Sequence, residues 1–256
     1  DLVIRGGGSQ GAEIEITHRA TTDEFIVTGL NDTTVNGQSA VAISGVDDDV
    51  RIHMRKGDNN ITLSGITVAD DLMIRTGSGD DTITLAGVTV TDNTRILTGW
   101  GDDDVDLGDS EFNGRVHVRT CAGADNVDLS DSSFGGQVRI STGWADDSLD
   151  VAGCTFATQF RARTSQGADS VNLLGSNFQG RFKLGTCWGN DAVTALNSQF
   201  GHKVTLNLGH ADDYLRLQDL DAGTGGKLDG GMGTDTYEDV GLSAGQVGLK
   251  NSEVFI

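Results

Sequence analysis

Thr98–Leu107 reads TGWGDDDVDL. Its first half is a tight glycine–acid turn, and its second half starts an apolar alternation at Val105. Stepping back from Val105 by 22 residues reaches Ile83 and then Ile61. Stepping forward reaches Val127, Leu149, Val171, Val193, Leu215 and Tyr237. Nine apolar or aromatic residues at one unbroken interval mark a repeat architecture, so the 256-residue length carries no domain count of its own.

Other columns follow the same step. A first short strand recurs at Leu72–Ile74, Val116–Val118, Val138–Ile140 and Val204–Leu206, and a second at Ile83–Leu85 and Val127–Leu129. A second corner ends on Val68, Val90, Phe112, Phe134, Phe156, Phe178 and Phe200. Strands this short bury nothing alone. Stacked coils pair them in parallel and fill the centre with identical side chains. The expected fold is all-β: a parallel β-helix, or β-solenoid, of about nine 22-residue coils, each with two strands and two corners. The five phenylalanines then form an internal aromatic ladder. Thr76, Thr98, Thr120, Thr142, Thr164 and Thr186 point inward by parity with Ile74, which speaks against an exposed ice-binding threonine face. Residues 1–48 lack the repeat and read as short β segments, with the hairpin signal Asn36-Gly37 among them. They form the expected N-terminal β cap, 49–239 the solenoid, and 240–256 a closing strand that ends on Val254-Phe255-Ile256.

The formal net charge is −20. That disfavours nucleic acid and anionic membrane as partners and favours divalent cations, basic partners or plain solubility. No apolar run approaches a membrane span. Glycine is abundant and proline absent, as suits many tight turns between strands whose N–H groups all pair. Cys121 and Cys187 hold the same place three coils apart, about 14 Å, too far for a disulfide, and Cys154 falls elsewhere in its repeat. All three read as unpaired. The chain opens on Asp1 rather than Met, as a processed or trimmed chain would.

The acids concentrate in the turn. One column holds Asn59, Asp81, Asp103, Asp125, Asp147, Asp169, Asp191, Asp213 and Asp235. The column before it holds Asp58, Asp80, Asp102, Ala124, Asp146, Ala168, Asn190, Asp212 and Thr234. Stacking sets like charges about 4.8 Å apart, at roughly 1 kcal/mol of repulsion per pair in water. Either each Asp accepts N–H bonds of the turn, or Ca²⁺ lies between coils. Gly77–Ile83 and Gly99–Val105 resemble the G-x-G-x-D-x-apolar half of the calcium-binding RTX nonapeptide repeat, and Gly230–Tyr237 resembles its full form. The resemblance implies a right-handed roll with ions between turns. Here, though, the motif serves one corner only, and Arg55-Lys56, Cys121, Ser165 and Cys187 replace its first glycine. More broadly, Val35-Asn36-Gly37, Ile43–Val46 and the G-x-G-D-D coils resemble secreted and surface β-solenoid proteins of planctomycetes and related bacteria. That implies an extracellular setting and no particular activity.

Trp100, Trp144 and Trp188 recur every 44 residues, with Ala122, Gln166 and His210 between or after them. The paired acids Asp102-Asp103 and Asp146-Asp147 keep step with Trp. The middle of a G-x-G turn points outward, so the expectation is an exposed Trp row that either covers its own turns or contacts a glycan or partner. Arg95, His117, Arg139, Arg161 and Lys183 line the first strand, and Asp106, Asp128 and Asp150 the second. The five histidines are scattered without metal or triad spacing, the acid pairs recur in every coil, and no insertion interrupts the step to build a groove. The expected function is therefore a non-catalytic extracellular structural protein that assembles with copies of itself. A glycan-binding adhesin is the alternative, and a β-helix polysaccharide lyase or hydrolase is less favoured.

Overall fold

The computed structural model describes residues 1–6, 10–218, 221–222, 226–240, 247–250 and 254–255. Among these there is no helix, and three sheets of 11, 8 and 13 strands run along the stack, parallel except for two antiparallel strands at one end of the third. The register is the 22-residue step: Val105 pairs Ile83 below and Val127 above, and Ile96 pairs Ile74 and Val118. A β-solenoid of stacked parallel coils is the fold.

Each coil has three faces, one more than the two-strand reading. The first holds strands such as Thr94–Trp100 and the second Asp104–Gly108. The third is a two-residue strand, such as Glu111–Phe112, which the sequence presents only as an apolar corner. Too short to show alternation, it still pairs coil to coil from Thr67–Val68 to Asp221–Ala222. Its inward residue supplies the aromatic ladder. The rings of Phe112, Phe134, Phe156, Phe178 and Phe200 stack with centroids 4.7–5.2 Å apart. Phe160 and Phe182, on the first face, meet this ladder edge-on.

The corner between second and third faces turns through a left-handed residue. Gly65, Gly87, Asp109, Asp131, Gly153, Gly175 and Asn197 occupy it, all with φ between 47° and 65°. These are the residue types that tolerate that conformation. Just beyond it lies an internal column of Ser110, Ser132, Ser176 and Ser198. Ser132 Oγ accepts the Ser110 N–H and donates to the carbonyls of Leu107 and Ser130. Cys154 occupies the serine place in its coil and is buried, while Cys121 and Cys187 are half-buried, and all three are free thiols.

The first 48 residues are joined to the solenoid more closely than a separate cap would be. Leu2–Arg5 pairs in parallel with Val50–His53, and Glu13–Arg19 with Asn60–Ser64, so the first coil begins at the N-terminus. Glu24–Leu30 and Ala40–Ser44 then add antiparallel strands to the exposed edge of the second face. At the Asn36-Gly37 hairpin signal the pairing is a single bridge, Val35 to Gln38, across Asn36 and Gly37, both with positive φ. At the other end Val247–Lys250 and Val254–Phe255 continue the parallel ladders. Ile256 lies outside the described residues.

Candidate functional site

The corner between first and second faces carries the Trp column and both acidic columns. Each Trp is held between two positive-φ positions. Trp144 lies between Gly143 (φ 135°) and Ala145 (φ 81°). Cys121, Ser165 and Cys187, the residues that break the glycine motif, still adopt φ of 91–95°. A β carbon on Gly143 would fall 1.7 Å from the Cys121 carbonyl oxygen, so the backbones of successive coils touch here.

The two acidic columns point in opposite directions along the stack. Oδ1 of the inner aspartates Asp81, Asp103, Asp125, Asp147, Asp169, Asp191, Asp213 and Asp235 accepts the N–H of the same column one coil earlier. These bonds measure 2.9–3.1 Å. Oδ1 of the outer Asp58, Asp80, Asp102, Asp146 and Asp212 accepts an N–H one coil later, at 2.7–3.0 Å. The corner's N–H groups, which the sheet ladders do not reach, are thus bonded by carboxylates of the coils on either side.

The inner column is dry. Its aspartates are at most 2% exposed, and the second oxygen of every one, Asp81 to Asp235, is buried without a hydrogen-bond partner. Burial pushes Asp103, Asp147 and Asp213 up to about 7, and Asp125 and Asp191 up to about 6. The adjacent hydroxyls of Thr98, Thr142, Thr120 and Thr186 oppose that rise at Asp103, Asp147, Asp125 and Asp191, respectively. Asp169 is raised by the same cause. The threonines are inward, as parity requires, and donate to the next coil, as Thr120 Oγ1 does to Thr142 O at 3.1 Å. Asn59 shows what a neutral member of the column does. Its amide nitrogen donates to Gly57 O and to Asp81 Oδ1, each at 2.7 Å.

This donor set fits capping better than calcium. One oxygen of each inner carboxylate is committed to backbone and the other is sealed from water. Among the described residues, three carboxylates converge within 4.8 Å only at Asp1–Asp48–Asp49 and Asp70–Asp71–Asp92, both outside this corner. Adding Ca²⁺ or a chelator at neutral pH is therefore expected to leave the melting temperature unchanged. A rise with Ca²⁺ that Asp102→Asn/Asp146→Asn abolishes would assign an ion here.

Trp100, Trp144 and Trp188 project outward, 73%, 65% and 58% exposed. The pairing order of their column is Ser78, Trp100, Ala122, Trp144, Gln166, Trp188, His210, Met232. Trp188 stacks on His210 with centroids 4.2 Å apart, so at this place in the column the rings lie flat and stack along the axis. A cleft opens beside Gln166 and Trp188.

The predicted rows on the strands are also aligned. Arg95, His117, Arg139, Arg161 and Lys183 are in register, as are Asp106, Asp128 and Asp150. Burial and the flanking Arg95, Arg139 and Arg119 push His117 below the usual imidazole range. The corner between third and first faces holds a pattern the sequence reading passed over. Its N-terminal end carries Asp48, Asp49, Asp70, Asp71 and Asp92, and its C-terminal end Arg181, His202 and Lys203. Reading those two positions at 22-residue spacing would have found it. Arg181, Lys183 and Lys203 line one cleft, and none of them enters an ion pair among the described residues.

A cavity of about 590 Å³ at the N-terminal end is lined by Leu2, Ile14, Val27, Ile43 and Met54, with Arg5 and Asp32 its charged members. It holds no histidine, cysteine or carboxylate pair. No helix among the described residues is long and apolar enough to cross a membrane. Set against family models, curated proteins and solved structures, this chain matches none of them.

Proposed function

We propose that this chain is a non-catalytic extracellular structural protein, the self-assembling subunit of a surface filament or layer. The observation that carries this reading is the charge gradient along the corner before the first face. Asp48, Asp70, Asp71 and Asp92 at one end, beside Asp49 already paired with Arg51, and two strong cations with a histidine at the other lie on the same straight edge. Asp49 and Lys203 are seven coils apart, about 34 Å. A second copy lying antiparallel along this edge sets acid against base twice, at the two ends of an isologous contact. A net charge of −20 otherwise keeps copies apart, so such a contact both attracts and selects.

Two further features support it. Surface side chains line up in rows along the stack, such as Arg95, His117, Arg139, Arg161 and Lys183, a form that matches another row rather than a small substrate. The acid pairs, which in a catalytic site would be singular, are used as backbone caps in coil after coil.

Sedimentation over a range of concentrations at low ionic strength is expected to show association that weakens as salt screens the contact. The double variant Arg181→Glu/Lys203→Glu is expected to weaken it further. Dispersed monomers at high concentration and low salt would reject the reading.

A further inference from the structure

The Trp column alternates with small or slender residues in a way that leaves slots. Trp100 and Trp144 are two coils apart, about 9.6 Å, and only Ala122 lies between them. Gln166 alone occupies the interval between Trp144 and Trp188. A ring centred in either slot would lie about 4.8 Å from the rings above and below, within the range of offset aromatic stacking. The interior Phe ladder already stacks at 4.7–5.2 Å, which is the spacing the coil rise imposes.

The flanks alternate in the same rhythm. Three residues before the column position, the coil before Trp100 and the two coils between the tryptophans carry Arg75, Arg119 and Arg163, all exposed and free of ion pairs among the described residues. The Trp coils carry Leu97, Ser141 and Gly185 there. Two residues after the column position the order reverses, with exposed Asp102 and Asp146 in Trp coils and Ala124 and Ala168 between them. The Trp100 and Trp144 coils are therefore acidic on one side of the ring, Trp188 has the neutral Asn190 there, and a slot coil is basic on the opposite side of its gap.

Resting on the self-assembly reading, we infer that this corner is a second interface between copies, in which the tryptophans of one chain enter the slots of another. The two solenoid axes run parallel and are offset by one coil. Trp144 of the partner subunit then fills the slot at Ala122, and Trp188 of the partner subunit fills the slot at Gln166, where this chain's Trp188 takes the place that His210 holds on that ring in the free chain. Turning a parallel copy to face this corner exchanges its flanks. Arg119 then meets Asp146 of the partner subunit, and Asp102 meets Arg119 of the partner subunit. An antiparallel copy would instead set the arginine flanks against each other. Filling both slots at once needs rings about 9.6 Å apart, and the chain's own Trp column has that spacing.

The test compares wild type with two variants by sedimentation, with tryptophan fluorescence as a second readout. Ala122→Trp fills a slot in a column that already bears Trp at the same register, so the coil accommodates it. Arg119→Asp/Arg163→Asp removes the basic flank without touching any hydrogen bond among the described residues. Each is expected to weaken association at least about tenfold, the scale of an interface anchor. Wild-type emission is expected to shift to the blue on association, because the rings leave water. Association of both variants at wild-type strength would overturn the interlock while leaving self-assembly in place. Monomeric wild type would overturn both. Wild type that stays monomeric but is retained on a polysaccharide matrix, with retention lost in Ala122→Trp, would give the slots to a glycan instead.

Discussion

Lowering the pH from 8 to 5 is expected to raise the melting temperature of this protein, against the usual behaviour of acidic folds. The cause is the inner aspartate ladder. A native salt-bridged carboxylate has a depressed pKa and loses its contribution as acid is added. Here the shift has the opposite sign. Asp103, Asp147 and Asp213 sit near 7 and Asp125 and Asp191 near 6, all above the ordinary 3.8. A group whose folded pKa is raised binds its proton more tightly in the native state, so folding is favoured where that proton is held. The contribution is fully present below about 3.8 and fades as pH rises to about 7, where the folded ladder must carry buried charge. Adding a proton also removes the charge from the orphaned second oxygen, which lowers the cost of burying it unpaired.

Relief of the general negative charge on acidification acts in the same direction, so a variant must separate the two. Asp125→Asn/Asp147→Asn keeps the acceptor that each N–H needs and supplies a neutral donor, as Asn59 does at its own place in the column. It is expected to raise the melting temperature at pH 8, to change it little at pH 5, and to flatten the profile between. Calorimetry across that range is the measurement. An unchanged or lower melting temperature for the variant at pH 8 would show that the ladder is not strained by its charges. Asp125→Ala is expected to destabilise at every pH, because it leaves the buried Asp103 N–H without an acceptor, at about 1–3 kcal/mol.

The second large effect is in the aromatic ladder. Phe156→Ala is expected to cost about 3–5 kcal/mol, the range for a buried aromatic truncated to a methyl. Phe156 is 1% exposed and lies mid-ladder between Phe134 and Phe178 at 4.8 and 4.7 Å, with Phe160 edge-on at 4.8 Å. Parallel strands hold the neighbouring coils at fixed separation, so they cannot close over the gap. Because each coil leans only on its neighbours, the damage is expected to appear as a local break, visible in hydrogen exchange of the adjacent coils before global melting. Phe156→Leu is expected to recover most of the loss. A cost below about 1 kcal/mol for the alanine variant would mean that the third face is not packed as described.

How legible all this was varies by element. Val105 and its partners could be aligned from sequence because parallel stacking sets each position over itself, and a period survives any local uncertainty. The inward threonines followed from strand parity, and the exposed tryptophans from their place in the middle of the turn. The third face was missed because a two-residue strand such as Glu111–Phe112 has no alternation to detect. Phe160 and Phe182 were missed as aromatics because they sit in a first-face column that Val50, Leu72, Thr94, Val116, Val138 and Val204 otherwise fill on either side.

The sequence by itself determined that identical coils stack, which columns face inward, and that the tryptophans recur at twice the coil spacing. Those properties depend only on period and parity, which a parallel β stack transmits directly into space. Only the tertiary structure decided where the carboxylates go. Which neighbour's N–H an aspartate meets, and whether its other oxygen stays wet, depends on the positive φ angles at the corner and on the close backbone approach at Gly143. It also decided that the first coil closes across 48 residues, from Leu2 to Val50, where no period exists to read. And it put the acidic and basic ends of one corner on a single straight edge, because a charge gradient becomes a surface only once the coils are stacked.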